Sequence, residues 1–184
     1  LVNTLAGQDD AAVMAALGIA GEAPEGLFFP DTYLFGKGTT DLEILRQART
    51  RMKSELEAAW HKRADDLPIT TPYEALTLAS IVEKETALGE ERARIGGVFV
   101  ERLRLGMRLQ TDPTVIYGIG PKFDGNLRRS DLERGGPYNT YVRAGLPPTP
   151  IALPGAGALR AAVLPDERGE LYFVATGLGD GSHK

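Results

Sequence analysis

The chain has 184 residues, 42% of them hydrophobic and 25% charged, with a net charge of −4 and no cysteine. That length suits one domain, or one domain with a small appendage. The acidic balance argues against a nucleic-acid binder, which would normally show a basic patch. The missing cysteines exclude disulfides and thiolate metal sites, and two histidines, His61 and His183, are too few for a histidine-rich metal centre.

In chain order, Asp9 to Leu17 reads as a short helix stopped by Gly18. The aromatic stretch from Gly26 to Phe35 has Pro30 inside it, so extended chain or an edge strand is expected. Thr40 or Asp41 caps a long, charge-rich helix to about Arg63, with Leu42, Leu45, Met52, Leu56 and Trp60 as its buried stripe. Thr71-Pro72-Tyr73-Glu74 joins a capping box to proline at the first helical position and starts a second long helix, with Gly89 as its stop. A further helix spans about Glu90 to Leu105 and ends at Gly106. Asp112-Pro113 has the form of an N-cap followed by proline, opening a short helix through Tyr117. From Gly118 to Pro154 the chain is dense in Gly, Pro and Asn, which suits ordered loops lining a cleft. Leu171 to Ala175 reads as a buried strand. The sum is a helix-rich α+β protein with a few short strands. No run of eighteen or more apolar residues and no signal peptide is visible. With Leu1 at one end and a loop-like GLGDGSHK at the other, a piece of a longer protein is expected.

Within the second long helix, LASIVEKETALG, Glu85 falls on the arc of Leu78, Ile81 and Val82, where an apolar residue belongs. Glu83 points roughly to the opposite side, near Leu76 and Ala79. Burial favours the protonated carboxyl, and a carboxyl still protonated near neutral pH can act as a general acid. A solvated Glu85 at the helix rim is the plainer alternative.

Other chemistries lack their residues. There is no G-x-S-x-G elbow, no cysteine nucleophile, no Walker A pattern and no completed G-x-G-x-x-G, so no cofactor is expected. What remains is a carboxyl group with amides, hydroxyls and rings: Gln110, Thr111, Tyr117, Tyr138, Asn139, Thr140 and Tyr141. Such groups suit sugar faces and sugar hydroxyls, although any one tyrosine reads equally well as core. Asn139 is expected as an exposed amide whose loss weakens turnover more than stability.

LASIVEKET (Leu78 to Thr86), GMRLQTDPTVIYG (Gly106 to Gly118), YNTY (Tyr138 to Tyr141), Gly145-Leu146-Pro147-Pro148 with Pro150-Ile151, and LYFVA (Leu171 to Ala175) together resemble the YceG-like, endolytic murein transglycosylase family. The motifs stand in family order over about Glu25 to His183. The resemblance implies a lysozyme-like transglycosylase catalytic domain from residue 25 to 184, preceded over 1–24 by the end of a LysM-like or linker region. It implies cleavage of peptidoglycan glycan strands to 1,6-anhydro ends, which terminates or trims nascent strands. It also implies a single N-terminal membrane anchor, a site on the outer face of the inner membrane, and penicillin-binding synthases as partners. No metal or cofactor is implied.

Catalytic helices of lysozyme-like transglycosylases typically end in Glu followed by Ser or Thr. Glu85-Thr86 fits that register and Glu83-Lys84 does not. Glu85 is therefore the expected catalytic acid, Gln110, Thr111, Tyr138, Asn139, Thr140 and Tyr141 the expected substrate contacts, and Glu83, Asp112 and Tyr117 possible supports. Two alternatives are a hydrolytic muramidase pairing Glu85 with Asp112, and a non-catalytic glycan-binding module. The N-cap assigned to Asp112 gives that residue a structural task already.

Overall fold

Two capping boxes set the frame. Thr40 Oγ1 accepts from the Glu43 amide at 3.1 Å and Glu43 returns a bond to the Thr40 amide; Thr71 and Glu74 repeat the exchange. Each box satisfies amides that a helix start otherwise leaves without partners. In this computed structural model, residues 1–166, 168–174 and 183 are described. The helices are α1 (Asp10–Ala16), α2 (Asp41–His61), α3 (Pro72–Glu85), α4 (Arg92–Arg104), α5 (Asp112–Ile119), α6 (Arg129–Glu133) and α7 (Ala156–Val163), with a 3-10 turn at Gly120–Lys122.

α3 is the central helix and packs against α2, α4, α5 and α7. Every residue from Ala75 to Val82 is buried, so α3 has no solvent face over two turns. Leu78, Ala79, Ile81 and Val82 meet Phe29, Met52, Ile95, Phe99, Leu109 and Leu159 in one core. α4 and α7 approach closely through glycines. A Cβ on Gly96 would stand 2.5 Å from the Ala161 carbonyl oxygen of α7, and one on Gly97 would collide with the Asp166 carbonyl just past that helix.

A smaller cluster of Met14, Ile19, Phe28 and Ala48 holds α1 and the 26–35 segment against α2. The Asp41 carboxylate ties down the chain start, accepting from the amides of Thr4 at 2.9 Å and Leu5 at 3.0 Å.

Three expectations need correction, and for residues 26–35 one of two alternatives falls. No described residue belongs to a β-strand, and pairing is limited to isolated bridges such as Val2 with Thr40, so the helix-rich part of the expected class holds and its strands do not. Residues 26–35 have no ladder partner: 26–28 form a turn and bends and 29–35 run on outside helix and strand, so the edge-strand alternative falls. Leu171 to Val174 form no strand either: Tyr172 is 65% and Val174 55% exposed, and Ala175 lies outside the described residues. Finally, α3 ends at Glu85 and not near Gly89, because Thr86 turns extended at φ −139° and ψ 138°.

Candidate active site

The end of α3 puts Glu85 where a buried helix opens onto the 106–118 and 138–141 segments. Thr111 donates its hydroxyl to Glu85 Oε2 at 2.7 Å. Burial raises the Glu85 pKa and is the largest influence; the Thr111 bond opposes it, Asp112 adds to it, and His183 and Arg102 pull it back. The outcome is a carboxyl held toward its protonated form beside a hydroxyl donor.

Two further threonines fix that donor. Thr114 donates to the Thr111 carbonyl at 2.8 Å and shares a 2.8 Å bond with the Thr140 hydroxyl. Thr140 Oγ1 also accepts from the Thr111 amide at 3.1 Å. Thr140 is 2% exposed, so its hydroxyl positions Thr111 and is not open to a ligand. Gln110, one residue earlier, has φ +50°, the only positive φ at a non-glycine residue among the described residues. A glutamine in this region is strained, and its amide is held by the Thr140 carbonyl at 3.1 Å. The Gln110 side chain is exposed.

Asp112 is not the N-cap of α5. Thr111 takes that position without a side-chain cap bond, its hydroxyl being turned to Glu85, and Asp112 is the first helical residue. The Asp112 carboxylate accepts from the Tyr141 hydroxyl at 2.6 Å. Burial and then this carboxylate push the Tyr141 pKa upward. Thr111, Asp112, Thr140 and Tyr141 thus gather around Glu85.

The other expected site residues have different tasks. Asn139 is 6% exposed; its Nδ2 donates to the carbonyls of Asp131, Leu132 and Arg134, and its Oδ1 accepts from the Tyr141 amide at 2.9 Å. It closes the end of α6 and shapes the turn that delivers Tyr141, so it is not an exposed amide. Tyr138 shares a 2.8 Å hydroxyl bond with Thr149 and meets the Tyr117 ring edge-on at 4.8 Å. Tyr138 and Asn139 border a cavity of about 230 Å³ with Val115, Gly118, Ile119 and Arg134. Burial and then Glu25 raise the Tyr117 pKa. Glu83 pairs with Arg92 at 3.1 Å and accepts from the Gly155 amide at 3.0 Å, which ties α3 to α4 and to the start of α7.

Two residues near Glu85 escape any local reading. Arg102 is 6% exposed on α4 and donates to the carbonyls of Leu109 and Leu171. His183 bonds Glu91 through its amide at 2.7 Å and through Nδ1 at 2.9 Å, while Thr86, next to Glu85, donates to the same Glu91 carboxylate at 3.2 Å. The His183 amide is the main cause holding the Glu91 carboxyl below its ordinary range. The Arg102–Leu171 and His183–Glu91 bonds join positions 69 and 92 residues apart, with no motif to announce them.

The YceG-like family model matches residues 2–184. The chain is 38% identical over 156 residues to an endolytic murein transglycosylase of Bacillus subtilis (strain 168), covering 85% of the chain and 43% of that protein. It is 33% identical over 157 residues to one from Streptococcus pneumoniae serotype 2 (strain D39 / NCTC 7466), covering 82% and 28%. The chain therefore spans less than half the length of these curated relatives. A 2.6 Å crystal structure of a yceG-like protein from Listeria monocytogenes superposes with a TM-score of 0.74 at 31% identity, over 95% of this chain and 59% of that one. The chain belongs to the YceG-like family.

Proposed function

We propose that this chain is the catalytic part of a peptidoglycan lytic transglycosylase, with Glu85 acting in turn as acid and base. The carrying observation is one carboxyl at the end of a buried helix, raised by burial and oriented by Thr111 at 2.7 Å. Protonated Glu85 gives its proton to the oxygen linking N-acetylmuramic acid to N-acetylglucosamine, and the C1–O bond breaks through an oxocarbenium-like transition state. The C6 hydroxyl of the same muramyl residue then bonds to C1 and returns its proton to the Glu85 carboxylate. The products are a 1,6-anhydro end and a free hydroxyl on the leaving strand. An internal nucleophile removes the need for a carboxylate that positions water.

Anchoring of the longer protein in the inner membrane, trimming of nascent strands and partnership with penicillin-binding synthases extend the same proposal. Among the described residues no helix is long and apolar enough to cross a membrane.

One observation favours a second reading, hydrolysis. Asp112 is exposed, free of any cap bond and held by Tyr141 beside Glu85, a place from which a carboxylate can activate water. Mass spectrometry of products from purified glycan strands separates the two. Anhydro ends support the transglycosylase; reducing ends support hydrolysis.

A further inference from the structure

Arg102 is a buried cation whose hydrogen bonds all go to neutral groups. Its Nε donates to the Leu171 carbonyl at 2.7 Å, its Nη1 donates to the Leu109 carbonyl, and its guanidinium lies 5.0 Å from the centre of the Tyr172 ring. Other arginines of the fold behave differently: Arg51, Arg92, Arg94 and Arg128 each meet a carboxylate within 3.1 Å. Among the described residues no carboxylate forms an ion pair with Arg102. A charge taken out of water without a counter-ion is costly unless the site uses it.

What Arg102 grips is the base of the active-site turn. Leu109 is fully buried, Gln110 follows in its strained conformation, and Thr111 follows with the hydroxyl bound to Glu85. We propose that Arg102 is a positioning residue for Glu85: its buried guanidinium holds the 109–111 turn through the Leu109 carbonyl and so keeps the Thr111 hydroxyl on the Glu85 carboxyl. The proposal rests on Glu85 as the acid of the preceding section.

The groups around Glu85 support this role. Burial and then Asp112 on α5 disfavour its carboxylate, while the Thr111 hydroxyl bond favours it most, ahead of His183 and of Arg102 on α4. Tyr141 of the 138–141 segment faces both Glu85 and Arg102. When Glu85 yields its proton to the glycosidic oxygen, the Thr111 hydroxyl held by this turn donates to the carboxylate left behind, as a preorganised electrostatic group does.

The test uses Arg102→Gln and Arg102→Lys in the full-length protein, with Arg102→Met as a second neutral variant if the glutamine does not fold. Three quantities are read: kcat and KM on uncrosslinked glycan strands, the pH profile of kcat/KM, and the Glu85 titration midpoint by carbon NMR. In the neutral variant the Glu85 midpoint and the alkaline limb move to higher pH, and kcat falls about ten- to hundredfold while KM stays within about twofold. The lysine keeps one donor for the Leu109 carbonyl, so its melting temperature, kcat and midpoint lie between those of the neutral variant and wild type. A Glu85 midpoint unchanged in the neutral variant, or moved equally in both, overturns the proposal. The NMR midpoint needs no turnover, so it judges Arg102 even if Glu85→Gln cleaves normally and the acid assignment itself has failed.

Discussion

Thr111 donates a hydrogen bond from its hydroxyl to Glu85 at 2.7 Å, so the last residue of α3 and the N-cap of α5 are joined side chain to side chain. This bond favours the Glu85 carboxylate, against the larger effect of burial. Thr111→Val removes the donor, so the Glu85 pKa rises further and the alkaline limb of the activity profile moves to higher pH. Thr111→Ser keeps the donor and a near wild-type limb. Paired pH–rate profiles check this, and an unmoved limb in the valine variant contradicts it.

Glu85 should also leave its mark on stability. Its folded pKa is raised above the unfolded value, so its contribution is fully present below the unfolded pKa and is lost as pH rises through the folded pKa. Glu85→Gln removes that loss. Melting temperatures across pH should therefore show the glutamine variant gaining on wild type as pH rises, and parallel curves would contradict the burial effect.

Asn139→Ala should act mainly on stability. It strands the carbonyls of Asp131, Leu132 and Arg134 and frees the Tyr141 amide, for about 1–3 kcal/mol. Denaturant unfolding gives the loss directly. A variant of wild-type stability with impaired turnover would restore the substrate-contact role expected from sequence.

Asp112→Asn keeps an oxygen to accept from Tyr141, so the loop should persist. On the transglycosylase reading most turnover persists as well. Nearly complete loss in a stable variant, with reducing ends from the wild type, would establish hydrolysis.

Local grammar made the frame legible. The boxes at Thr40 and Thr71 satisfy their helix starts within four residues, so the sequence reports them directly. The same grammar misplaced the start of α5 by one residue, because the Thr111 hydroxyl answers to Glu85 twenty-six positions away. The helical arc did pick out the candidate acid. α3 is buried from Ala75 to Val82, however, and it is Glu85's terminal position that brings it to Thr111. Asn139 looked like a ligand contact because its three carbonyl partners emerge only when α6 forms. Arg102 and His183 stayed hidden because their bonds to Leu171 and Glu91 span 69 and 92 residues.

The most direct measurement compares Glu85→Gln with Glu83→Gln, both confirmed as folded, on purified glycan strands with mass spectrometry of the ends. Glu83 is bound to Arg92 and the Gly155 amide, so its variant should lose stability and keep measurable cleavage. Glu85→Gln should remain folded and lose cleavage by about 10²–10⁴-fold, the usual share of a general acid–base group. Near-normal release of anhydro ends by Glu85→Gln, with Glu83→Gln inactive, would show that the other carboxylate carries the reaction.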